Sequence, residues 1–112
     1  MTTLQNQLHS LRAVLAAMRC GKAVMPYHWM FDVENARTVL LRIYQSRAQA
    51  LGRSTSLYAD IPELSPLREA ILRLSSLSFL GGFGVTFTIV INTVREAVRN
   101  MEEYLQTEQN AV

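Results

Sequence analysis

The sequence predicts an all-α chain, folded as a small four-helix bundle-like domain that spans residues 1–112 as one unit. Three observations predict it. Apolar residues recur at steps of three and four, the period of a helix face. Glycine and proline fall between these runs and punctuate them. At 112 residues, with 49% apolar and 18% charged side chains, the chain can close one small core and is too short for a large two-domain enzyme.

The first helix is expected over 3–20. Thr2 followed by Gln5 has the spacing of a capping box. Leu4, Leu8, Leu11, Leu15 and Met18 then share one face, and Gly21 stands where a helix C-terminus favours it. Residues 21–31 show no period, and Pro26 reads as a break, so this stretch is expected as a loop. Asp32 would cap a second helix over 33–51. Its apolar face is Val33, Ala36, Leu40, Ile43, Tyr44 and Leu51, with Arg47 on the same side, and Gly52 closes it.

Residues 53–64 read as a polar connection with a turn at Pro62. Ser65 before Pro66 reads as a side-chain cap followed by proline at the first helical position. The third helix, 66–80, carries Leu67, Ala70, Ile71, Leu74 and Leu77. Gly81, Gly82 and Gly84 then lower helix propensity, as a bend or a close packing would require. The run Val85 to Ile91 is rich in β-branched residues, yet helical spacing competes well with a strand. Phe83, Phe87, Val90, Val94, Val98, Met101 and Leu105 keep one face without a phase break, which predicts a long fourth helix over 83–107. Val85 and Ile89 fall on its other face. This helix is expected to be the central element and the seam of a symmetric homodimer, those seven residues being the oligomerisation surface. The last five residues are expected to fray.

Charge is uneven along the chain. Residues 1–53 hold seven basic and two acidic groups, whereas residues 54–112 hold four basic and seven acidic ones. The basic half points to an acidic partner or to a head-to-tail contact. Cys20 is the single cysteine, which excludes an internal disulfide, and no secretory leader is read at the start. The expected location is the cytoplasm.

The residues offer little chemistry. His9, Cys20 and His28 match no zinc spacing, so neither a metal nor a cofactor is expected. The Gly81–Gly84 cluster lacks the lysine and hydroxyl of a phosphate loop. Glu102 and Glu103 read as solubilising charge and not as an acid–base pair. No catalytic residue is expected.

What stands out is the short stretch Met25, Tyr27, His28, Trp29, Met30 and Phe31. Aromatic residues and methionine are enriched in interface cores. The expected function is therefore that of a non-enzymatic protein–protein interaction module: a small regulator, inhibitor or chaperone-like adaptor. Its partner-binding residues would be Met25, Tyr27, His28, Trp29 and Phe31, with Arg37, Arg42 and Arg47 steering an acidic protein. One alternative is a small nucleic-acid-binding regulator that uses the arginine-rich first half. The other is a membrane-associated protein: residues 74–94 contain no charge, and Ser78, Gly82 and Thr86 recur at steps of four.

Overall fold

The structure is a computed structural model that describes residues 3–19, 26–59, 61–80 and 87–110. Helix α1 spans Thr3–Arg19, α2 Pro26–Ala50, α3 Ser65–Leu80 and α4 Phe87–Asn110, and a short 3₁₀ turn, Pro62–Leu64, leads into α3. No strand occurs among the described residues, whose regular elements are all helical.

Each helix packs against two others: α1 against α2 and α4, and α3 against α2 and α4. The pairing of α3 with α4 is the most extensive. The core follows from the apolar stripes. Leu4, Leu8, Leu11, Leu15 and Met18 of α1 are buried, joined by Val14. Val33, Ala36, Leu40, Tyr44 and Ala48 repeat at the helical period along α2 and are buried too. Leu67, Ala70, Ile71, Leu74 and Leu77 come from α3, and Val90, Val94, Ala97, Val98, Met101 and Tyr104 from α4.

The connection after α2 is held from both sides. Ile61 and Leu64 insert into the core. Tyr44, itself fully buried, donates its phenolic hydrogen to the Ser56 carbonyl at 3.1 Å. Arg68 of α3 donates to the Leu57 carbonyl. A polar stretch is thus tied down by two apolar plugs and two side chains that satisfy its carbonyls.

Several expectations are corrected. The loop expected over 21–31 is helix from Pro26 onward. Proline opens a helix easily, since its fixed φ is already helical and its missing N–H would have had no partner in the first turn. Ser65 is not a cap either, because its φ of −54° and ψ of −49° are helical. Its N–H instead donates to the Pro62 carbonyl, so the chain winds from the 3₁₀ turn directly into α3, with Pro66 tolerated in the first turn. Leu51, expected on the apolar face, is 49% exposed because α2 has ended at Ala50.

Most of the stripe expected as a dimer seam lies on α4. Val90, Val94, Val98 and Met101 are buried inside this chain's own core, and Leu105 is half-buried against it. Helix α4 continues through Glu108, Gln109 and Asn110, within the last five residues where fraying is expected. Thr2, Cys20, Gly21, Met25, Gly81, Gly82, Phe83, Gly84 and Val85 lie outside the described residues, as do the last two. Among the described residues no helix is long and apolar enough to cross a membrane; α3 ends at Leu80, within the uncharged stretch 74–94.

Candidate functional site

Two surface regions concentrate the residues that the sequence singles out. The first is a groove between α1 and the start of α2. His9, Ser10, Ala13, Val14 and Ala17 are spaced to share one side of α1, and Asp32 supplies the α2 rim. The groove encloses about 330 Å³. Its floor is shallow because alanine and serine project little, which lets the face of α1 lie open beside α2.

Phe31 stands next to Asp32 and is 73% exposed. The register of α2 explains why. Nine residues separate Phe31 from Leu40, half a turn's offset at the helical period, so the ring faces away from the side that Leu40 buries. Met30, one position earlier, packs against the core. Tyr27, His28 and Trp29 lie in the opening turns of α2, with side chains outside the described part of the structure.

The second region lies along the C-terminal half of α2 and holds the arginines. They do not act as one set. Arg37 is held by Glu34 three residues earlier, through both Nε and Nη2. That hydrogen bond raises its pKa, against the opposing effect of burial. Arg42 is exposed and lines a cleft of about 270 Å³ together with Ile43, Ser46 and Arg47. Arg47 reaches across to α4 and pairs with Glu108 at 2.7 Å.

Glu108 is also the acceptor for Tyr104, whose hydroxyl donates to the same carboxylate oxygen, Oε1, at 2.9 Å. Burial, assisted by this hydrogen bond, pushes the Tyr104 phenol up to about 12. Arg47, Tyr104 and Glu108 border a further cleft of about 210 Å³ with Thr3, Leu4 and Ile43. The first turn of α1 therefore meets the last two turns of both α2 and α4. Two further contacts reinforce α4: Arg12 of α1 pairs with Glu102 at 3.4 Å, and Arg73 of α3 donates a hydrogen bond to the Asn100 amide oxygen at 3.1 Å.

Sequence reasoning missed Tyr104 and Glu108. A signal was present, since Tyr104 follows Met101 by three positions and precedes Glu108 by four, on the inward stripe of α4. Among the described residues no three histidine, cysteine, aspartate or glutamate side chains group as a metal site. Comparison of the chain with protein families, curated proteins and solved structures finds no match.

Proposed function

We propose that this chain is a non-enzymatic interaction module, an up-and-down four-helix bundle that binds a partner protein through the α1–α2 groove and Phe31. The observation that carries this reading is the 73% exposure of a phenylalanine beside a groove of about 330 Å³. A large exposed aromatic next to a concave apolar surface is the kind of anchor that interfaces use. The ring of helix contacts supports the bundle, because each helix is packed on two sides and can present its outer face rigidly. Such a protein acts through binding, as a regulator, inhibitor or chaperone-like adaptor.

The test uses the whole chain with Phe31→Asp and Ala13→Arg. Both changes sit at the surface, so the circular dichroism spectrum should match that of the parent. A protein retained from native lysate by the parent, then purified and titrated, should bind neither variant. Equal binding by parent and both variants would refute the groove. Light scattering shows whether the bound partner is a second copy.

A further inference from the structure

A separate surface occupies the other end of α2, about 16–24 Å along the helix from Phe31. We infer that the cleft between Arg42 and Arg47 takes a carboxylate-bearing segment of a partner protein, and that Glu108 is the internal competitor occupying Arg47 until that segment arrives. This inference stands independently of the groove.

The first support is charge. Between Glu34 and Asp60 the chain carries Arg37, Arg42, Arg47 and Arg53 and no acidic residue. Arg37 is already neutralised by Glu34. The positive charge left over on α2 converges where Arg42 and Arg47 line one cleft with Ile43 and Ser46. A guanidinium is planar and presents paired donors, which match the two oxygens of a carboxylate. The Ser46 hydroxyl adds a donor on the same wall.

The second support is the way Arg47 is held. Its side chain is 55% exposed and that of Glu108 33%. An ion pair this open to water is easily exchanged for another. Glu108 would not be stranded by the exchange, because Tyr104 continues to donate to its Oε1. Arg47 is thus released without leaving a buried, unpaired carboxylate behind. The pair works as a latch that any stronger carboxylate can open.

The third support concerns the kind of ligand. The floor of the cleft is Ile43, half-buried and aliphatic. It suits an apolar side chain flanked by acidic ones. A single-stranded nucleic acid would instead call for an aromatic ring on which a base could stack.

Fluorescence anisotropy with a short labelled peptide of glutamates around one leucine tests this. A single-stranded DNA oligonucleotide of equal net charge serves as the comparison. The parent chain should bind the peptide better than the oligonucleotide, and added salt should weaken the binding. Glu108→Gln keeps an acceptor for Tyr104 while removing the competing charge, and should tighten peptide binding about two- to five-fold. Arg42→Gln should weaken it about ten-fold. Phe31→Asp should leave it unchanged, which separates this surface from the groove. The inference is overturned if neither the parent nor Glu108→Gln binds the peptide, or if Glu108→Gln binds no tighter than the parent. It is equally overturned if the oligonucleotide binds as well as the peptide, or if Phe31→Asp abolishes peptide binding.

Discussion

The Arg53 amide donates to the Ala48 carbonyl at 2.9 Å, wrapping the chain back over the last turn of α2. The Gly52 amide donates to Gln49 at 3.0 Å inside the same wrap. These two bonds form a Schellman ending, which satisfies helix carbonyls that would otherwise lack partners. The motif needs a left-handed residue at its centre, and Gly52 supplies it with a φ of 68°.

Replacing Gly52 with alanine isolates the backbone cost of that conformation. A methyl group at this position would meet nothing within 4 Å, so no steric clash contributes. Gly52→Ala should therefore destabilise the chain by about 1–2 kcal/mol, the left-handed penalty for an ordinary residue. Gly52→Asn should lose less, since asparagine visits this region more readily. Urea unfolding with an unchanged slope and a lower midpoint checks both. A neutral alanine variant would show that α2 can end in another way.

The buried stripe of α4 makes a second prediction. Val94 is fully buried by α4's neighbours within the chain. A carboxylate placed there has no cation to pair with and loses its hydration, a cost comparable to the whole stability of a small domain. Val94→Asp should abolish most of the helical circular dichroism signal. A folded, monomeric Val94→Asp variant would mean instead that the stripe joins two copies.

Helix positions were legible wherever a side chain's neighbours lie one turn away. Leu67, Ala70, Ile71, Leu74 and Leu77 reveal α3 because each faces the same core. Pro26 was not legible, since the same residue that breaks a helix interior also opens a helix. Periodicity marks the face of α4 as apolar but is silent on whether the surface covering it belongs to the same chain. The α1–α2 groove is set by how two helices lie together, which no local pattern encodes. Arg47 and Glu108 are far apart in sequence, and each reads alone as a solvated charge. In the sequence Phe31 reads only as a large aromatic, and it is the register of α2 that explains its exposure.

The third prediction concerns Tyr104 and pH. Burial first, and then the hydrogen bond to Glu108, push its phenol from 10.0 up to about 12, while Arg47 pulls the other way. Burial disfavours the phenolate, and the Glu108 carboxylate repels it. The folded chain therefore keeps the proton at a pH where the unfolded chain releases it. Tyr104 contributes its stability in full below about pH 10, and loses it as pH rises through about 12. The parent chain should lose stability across that window faster than Tyr104→Phe, which has no proton to lose. Glu108→Gln removes the neighbouring negative charge, so the phenol should titrate at a lower pH than in the parent. Tyrosinate absorbance, measured alongside urea unfolding at each pH, follows both quantities. Parallel stability curves for the parent and Tyr104→Phe between pH 10 and 12 would show that the phenol ionises equally well in the folded and unfolded chains.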